Sequence, residues 1–347
     1  MKIALLSNQG TLGGGEVMLF NVAEQLSALG HTPVIVGPSH HSDVLLRARQ
    51  SGLRYAGIKS SGRADYLLRL RSWACASSVD LLWANGFLPA TATAGMPRRV
   101  VHLHQVPAPR LQPLVRCALR NASQIIVPSQ FVADRVPGSV VLPNWTADMQ
   151  VLPAPTASAT GTATPLRVGF LGRLTMDKGI HDLLGALSAL DASVPVRLIT
   201  GGATRFASRA EERRISAALS AARYPVEQHG WTEPSRFLSQ IDLLVVPSNC
   251  REAFGLVAAE AMSAGTPLIV SDDGALPEVV GPAYPYMFPA GDVSVLSRLI
   301  HDVAAHSPTI DRAALIQENR QRWEDHFSSD SAARRLERTL ATLEGSL

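Results

Sequence analysis

Two doubly wound α/β domains joined by a linker are what this sequence predicts. Three observations lead there. Short apolar runs alternate with amphipathic stretches from the first residues onward. The rhythm breaks over residues 151–165, which are rich in Pro, Ala and Thr and carry no charge. It then restarts at Leu166, in a chain whose 347 residues are comfortable for two domains.

In order, Ile3–Leu6 reads as a strand and Glu16–Leu29 as a helix, with Leu19, Val22, Ala23, Leu26 and Leu29 at helical spacing and Gly30 as its stop. Strand-like runs follow at Pro33–Val36, Leu81–Ala84, Arg99–Leu103, Gln124–Val127 and Val140–Leu142. Beyond the linker they recur at Leu166–Leu171, Val196–Ile199, Val226–Gln228, Asp242–Val246 and Pro267–Val270. The predicted organisation is a first domain over 1–150, a linker over 151–165, a second domain over 166–325 and a closing helix over 326–347. The helical stretch Asp311–Leu343 could cap the second domain or cross back to the first. Ligands of such sheets bind beyond the carboxyl ends of the strands, which makes a cleft between the domains the default site.

Composition narrows the function classes. No run of about 18 uncharged apolar residues occurs, so no membrane span is predicted. The apolar run after Lys2 is interrupted at Asn8 and Gln9, too soon for a signal peptide. Cys75, Cys117 and Cys250 are far apart and lack metal-ligand spacing, which points away from a disulfide framework or zinc site and towards a reducing cytoplasm. Residues 1–150 hold 14 Lys and Arg against 7 Asp and Glu, while the remainder holds 18 against 22. A basic first half suits an anionic partner such as an anionic membrane, a lipid phosphate or an acidic glycan, or is simply a solvated basic face. Nucleic acid is disfavoured because the basic residues lack aromatic interleaving. The stretch Arg63–Trp73 mixes leucines with arginines. It reads first as a helix packed on the sheet, with an anionic membrane surface as the alternative.

Four motifs carry chemistry. The strongest is Glu252 and Glu260, eight positions apart and bracketing Phe254, Gly255 and Leu256. A helix opening near Gly255 aims free N–H groups at a diphosphate. Glu260 then lies roughly 7–8 Å along the helix, placed to accept hydrogen bonds from ribose hydroxyls. Glu252 faces the other end of the diphosphate, where a sugar sits. The second motif is Gly172, Arg173 and Lys178, a cationic loop just after a strand. Only three lysines occur against 29 arginines, which weakly sets Lys178 apart. The third is the turn from Gly10 to Glu16, with Gly13, Gly14 and Gly15, at the start of the first helix. Glu16 there favours the helix N-terminus electrostatically. The second strand ends in Val36-Gly37-Pro38, without the acid that would hold a nicotinamide dinucleotide's ribose, which argues against a dehydrogenase. The fourth is His102 and His104 near the end of a strand, on one face by alternation.

At these residues the sequence resembles glycosyltransferase family 4, the large retaining group with the GT-B fold: two Rossmann-like doubly wound domains facing a central cleft. Its E-x7-E motif matches Glu252 and Glu260 with Phe254-Gly255 inside and Ala261-Met262 after. Ala264 to Pro267 and Gly274 to Val279 continue the pattern, and Thr200-Gly201-Gly202 resembles a Gly-rich turn near the nucleotide. The chain departs from the pattern at Gln105 and at Trp145-Thr146, where a ring either packs or alters acceptor fit. The resemblance implies a glycosyltransferase of the hexosyltransferase class, with no tightly bound cofactor and no metal. Its donor is a nucleotide-diphosphate sugar, UDP or GDP sugar first. It implies Arg173 and Lys178 on the donor phosphates, Glu252 on the sugar, Glu260, Gly172, Gly202, Phe254, Gly255 and Leu256 around the nucleotide, and Gly14 and Gly15 beside the diphosphate or the acceptor. His104, or His102 if the register slips, contacts the donor sugar. The implied acceptor is a glycan or lipid-linked saccharide in polysaccharide or glycoconjugate synthesis, in the cytoplasm or at the inner face of the membrane. A nucleotide-sugar epimerase on this fold and a non-catalytic sugar-nucleotide-binding subunit stay open as alternatives.

Overall fold

The computed structural model describes residues 1–149, 165–204, 207–305 and 312–344. The predicted linker therefore falls, apart from Pro165, outside the described residues. Among the described residues, contacts divide the chain into two units. One is built from Met1–Trp145 with the helix Ser329–Glu344, and the other lies within Thr146–Ser328.

In the first unit the strands are β1 (Lys2–Ser7), β2 (Thr32–Pro38), β3 (Arg54–Ile58), β4 (Leu81–Asn85), β5 (Arg99–His102), β6 (Gln124–Val127) and β7 (Val140–Val141). They pair in parallel in the order β3-β2-β1-β4-β5-β6-β7. β3 is absent from the sequence reading for a physical reason. It is an edge strand in which only Ile58 is buried, so no apolar run marks it. The first helix runs Gly14–Ala28, two residues ahead of its apolar periodicity, because the glycines form its first turn. β5 ends at His102 rather than Leu103, which leaves His104 just beyond the strand. The helix Arg63–Ala76 packs on the sheet through Tyr66, Leu70 and Ala74, against Ala4, Leu6, Val34 and Val36. Trp145 is fully buried, and its carbonyl accepts from Asn21 Nδ2 at 2.9 Å, so its ring packs.

The second unit holds β8 (Leu166–Leu171), β9 (Val196–Gly201), β10 (Val226–Gln228), β11 (Leu243–Val246), β12 (Leu268–Ser271) and β13 (Met287–Phe288). All pair in parallel, in the order β10-β9-β8-β11-β12-β13. β13 is two residues long, too short for a periodic signal. The C-terminal helical stretch resolves into two helices, Arg312–His326 and Ser329–Glu344. No described helix is long and apolar enough to cross a membrane.

Both sheets are doubly wound, as the sequence predicts. In each, the strand order reverses beside the first strand: between β1 and β4, and between β8 and β11. Loops leaving the two central strands diverge at such a point and open a crevice at their carboxyl ends. The loop after β1 runs through Gly10 to Gly13, where the first helix opens with Gly14 and Gly15, and Asn85 closes β4. The loop after β8 carries Arg173 and Lys178, and the loop after β11 carries Glu252. The fold thus gathers motifs that lie far apart in sequence.

Candidate functional site

In the second unit the chain leaves β8 through Gly172 and Arg173, makes a 3-10 turn at Met176–Lys178 and enters the helix Ile180–Ala189. Gly179 makes that junction, with φ +73. A Cβ there would lie 1.7 Å from the Pro247 carbonyl oxygen, so only glycine lets this loop close on the end of β11. The Asn249 amide donates to Asp177 O at 3.0 Å and joins the two loops again.

That approach sets the central contact. Lys178 Nζ donates to Glu252 Oε2, and Ser248 Oγ donates to the same oxygen at 3.1 Å. Both charged side chains are largely shielded, 21% and 16% exposed. Burial works against the ammonium, but the Glu252 carboxylate outweighs it and holds the Lys178 pKa above its ordinary value. The Glu252 main chain is fixed on both sides. Its amide donates to Asp273 Oδ2 at 2.9 Å, and its carbonyl accepts from the Ala275 amide at 2.8 Å. Arg173 lies on the rim of the same loop, with Nη2 3.2 Å from Asp177 Oδ2.

The helix Leu256–Ala264 begins directly after this cluster. Its N-cap is Gly255, which has no side chain to satisfy the leading N–H groups, so an anion can. Glu260 sits in that helix, half-buried. Burial, reinforced by the Glu233 charge, pushes its pKa up to about 7. Phe254 points into the core, edge-on to Phe327 with ring centroids 5.4 Å apart. Leu256 is half-buried as the first residue of the helix. The Gly172 amide donates to Gly201 O at 2.9 Å, and the Gly202 amide to Gly230 O at 2.6 Å, which aligns the ends of β8, β9 and β10. The structure therefore brings Gly172, Arg173, Lys178, Gly202, Glu252 and Gly255 to the carboxyl ends of neighbouring strands, sets Leu256 and Glu260 on the helix that follows, and turns Phe254 to the core.

Gly14, Gly15 and His104 form a second group, in the first unit. A Cβ on Gly15 would meet His104 Cδ2 at 3.1 Å, so the glycine turn lies flat against the imidazole. His102 is fully buried, with its ring centroid 4.1 Å from that of His104. Burial holds the His102 pKa well below its ordinary value and brings that of His104 down to about 4, so both are neutral at pH 7. Glu16 is buried behind the turn, its pKa raised by burial, and accepts from Gln9 Nε2 at 3.2 Å. It braces the loop as well as favouring the helix N-terminus. Among the described residues, no group of three or more His, Cys, Asp or Glu could hold a metal ion.

Two family models divide the chain between them. The model described as Glycosyltransferase Family 4 matches residues 12–148, and that described as Glycosyl transferases group 1 matches residues 159–322. The chain belongs to the family 4 type of glycosyltransferases. It is similar to a glycogen synthase of Mycobacterium tuberculosis, 37% identical over 36% of this chain and 30% of the relative. It is also similar to a lipopolysaccharide 1,2-N-acetylglucosaminetransferase of Salmonella typhimurium, 30% identical over 52% of this chain and 50% of the relative. The chain thus spans about a third to a half of the length of these curated relatives. Its fold is that of Anabaena HepE, solved in complex with UDP and glucose, at a TM-score of 0.84 and 20% identity over 98% of this chain and 99% of that one.

Within this family 4 chain, sequence reasoning missed Asn85. Its Nδ2 donates to Gly15 O at 2.9 Å, and its Oδ1 lies 2.8 Å from His104 Nε2. The Gly15 carbonyl can only accept, so the amide orientation is fixed and His104 carries its proton on Nε2. The only sequence signal was an Asn-Gly pair closing an apolar strand, which ordinarily reads as a turn. Asn85 is fully buried. Asn85→Ala is expected to lower stability by about 1–3 kcal/mol, because it leaves a buried carbonyl and an imidazole N–H unpaired. Urea unfolding of the two proteins checks it.

Proposed function

We propose that the protein transfers a sugar from a nucleotide diphosphate, UDP or GDP sugar, to a glycan or lipid-linked acceptor with retention at the anomeric carbon. The observation that carries the reading is the Lys178–Glu252–Ser248 cluster at a topological switch point, immediately ahead of the uncapped helix at Gly255.

In this reading the diphosphate enters between the cationic loop and the helix start. Lys178 shifts from Glu252 towards the phosphates, joined by Arg173 and the leading N–H groups. Glu252, released from the ammonium, accepts from a sugar hydroxyl, and Glu260 accepts from the ribose. The anomeric C–O bond breaks with its electron pair passing to the diphosphate oxygen, where the fixed donors stabilise the developing charge. The acceptor oxygen bonds to the same face of that carbon and yields its proton to the departing phosphate. We assign Gly14, Gly15 and His104 to recognition of sugar and acceptor. His104, neutral at pH 7, serves there as a positioning surface rather than a cation. Free thiols at Cys75, Cys117 and Cys250 fit a reducing compartment, and we place the reaction in the cytoplasm.

Thermal-shift measurements with UDP, GDP, ADP and their sugar conjugates test the donor assignment, since a ligand that binds only the folded state raises its apparent stability. We expect a shift with at least one uridine or guanosine diphosphate, growing between pH 6 and pH 8. Glu260, with its pKa at about 7, must ionise to accept from ribose hydroxyls, so nucleotide binding releases a proton. In Glu260→Gln the pH dependence is expected to vanish. No shift with any nucleotide would overturn the assignment.

A further inference from the structure

Glu252 is held by more than its ion pair. The loop leaving β12 wraps its backbone: Asp273 Oδ2 accepts from the Glu252 amide at 2.9 Å, and the Ala275 amide donates to the Glu252 carbonyl at 2.8 Å. Gly274 stands between them with φ +61, and a Cβ there would collide with the Glu252 backbone, so glycine alone lets the two loops close. On the other side Arg251 is held in the left-handed region, with φ +58, where a residue with a side chain is strained. Such strain persists where the surroundings over-determine the geometry, and it gathers at functional sites. The result is a second carboxylate, half-buried, set beside Glu252. Asp273 spends one oxygen on the Glu252 amide, and the other, Oδ1, has no hydrogen-bond partner among the described residues. Bracing an amide takes only a neutral acceptor, such as Asn or Ser, so that duty leaves the charge unexplained.

The electrostatics here lean negative. Burial and the carboxylates of Glu252, Asp177 and Asp273 push the neighbouring Cys250 thiol up to about 11, although the Lys178 ammonium acts against them. Lys178 pairs with Glu252 and Arg173 with Asp177, and in the proposed reaction both cations turn to the diphosphate. Glu252 and Asp273 then stay at the sugar end, two anions whose counter-ions have left. We propose that Asp273 makes this end of the crevice selective for an uncharged sugar: its Oδ1 accepts from a sugar hydroxyl, and its charge together with that of Glu252 turns away a uronic acid. A hydroxyl brings the proton that both carboxylates lack. A sugar carboxylate brings a third like charge into a shielded space, where repulsion is largest. Arg251 does not offset this, because it stands exposed, where solvent and salt screen its charge. The inference rests on the crevice being the donor site and deepens that reading by naming the class of sugar.

Isothermal titration of the full chain at pH 8 tests it without an acceptor. The probes are UDP, UDP-glucose and UDP-glucuronate, and GDP, GDP-mannose and GDP-mannuronate. Within the series whose bare diphosphate binds, we expect the neutral sugar nucleotide to bind about a hundredfold more tightly than its uronate, as like charges in a shielded contact demand. Asp273→Asn keeps an acceptor for the Glu252 amide and removes the charge. It should narrow that ratio about tenfold, while affinity for the bare diphosphate moves far less. A purely bracing Asp273 would leave the ratio of the asparagine variant as it was, and that result overturns the proposal. Equal affinity for neutral and acidic donors overturns it too, as does a preference for the uronate, which would hand the selecting role to Arg251. Asp273→Ser serves if the asparagine variant misfolds, and it must narrow the ratio likewise. If neither UDP nor GDP binds, the donor reading itself fails and takes this inference with it. Binding of the bare diphosphate without discrimination between the sugars sinks this inference alone.

Discussion

Lys178→Ala is expected to lower kcat by about a hundred- to a thousandfold, the cost of removing one preorganised donor from a developing oxyanion. Its ammonium is held charged by Glu252 in a shielded crevice, where an interaction with a leaving phosphate is worth more than in water. The charge on the diphosphate grows as the anomeric bond breaks, so the loss should appear in kcat as well as kcat/KM rather than in KM alone. Folding should suffer little, by about 1 kcal/mol, because Ser248 still donates to Glu252 and the carboxylate keeps some contact with solvent. Steady-state kinetics alongside urea unfolding separate the two effects. A variant with near-normal kcat would remove the phosphate role assigned to this loop, and a variant that merely unfolds would recast the ion pair as structural. Lys178→Arg is not a conservative control: the guanidinium fork is wider than the ammonium and must fit beside Ser248 in the same shielded space.

How much of this was legible in the sequence depends on what kind of signal each residue leaves. The central strands were readable because burial on both faces forces continuous apolar runs, as in Leu243–Val246. β3 and β13 were not, because one is an edge with exposed Arg54 and Tyr55 and the other spans two residues. The cationic loop and Glu252 were found as separate motifs, yet nothing in a one-dimensional spacing of 74 positions says that Lys178 and Glu252 touch. That contact follows from the strand order, which sets β8 beside β11 and so joins the loops leaving them. The sequence reading also gave Arg173 and Lys178 one shared duty. The structure separates their partners, with Arg173 beside Asp177 on the rim and Lys178 on Glu252 inside. Asn85 left almost no trace, because a single buried amide carries no periodicity. Its importance is visible only once β4 and β5 bring it against His104 and the glycine turn.

Arg99→Ala is expected to be the most destabilising single change in the first unit, by about 3–5 kcal/mol. Arg99 opens β5 and is fully buried, and none of its hydrogen-bond partners is a carboxylate. Its guanidinium instead joins two helix ends. Nη1 donates to Ala90 O at 3.1 Å and reaches Thr93 Oγ1 at 3.4 Å, while Nη2 donates to Ala118 O at 2.6 Å and Arg120 O at 2.5 Å. Carbonyls at a helix C-terminus have no partner within the helix and draw positive charge, so one planar fork serves two helices. Burial, with Arg71 close by, pulls the Arg99 pKa down to about 10, which still leaves it charged at pH 7. Truncation to alanine removes the charge together with its desolvation, but it takes the fork from the buried Ala90 and Ala118 carbonyls and opens a cavity the size of a long side chain, and these costs dominate. Arg99→Lys retains the charge, yet a single ammonium cannot span both helix ends, so it should recover only a minor part of the loss. The midpoint of urea unfolding, followed by a probe in the first unit, decides the matter, and a change below about 1 kcal/mol in Arg99→Ala would mean that water replaces the fork at little cost. The two helices joined here are the short Phe87–Ala92 and the Arg116-bearing Gln112–Leu119.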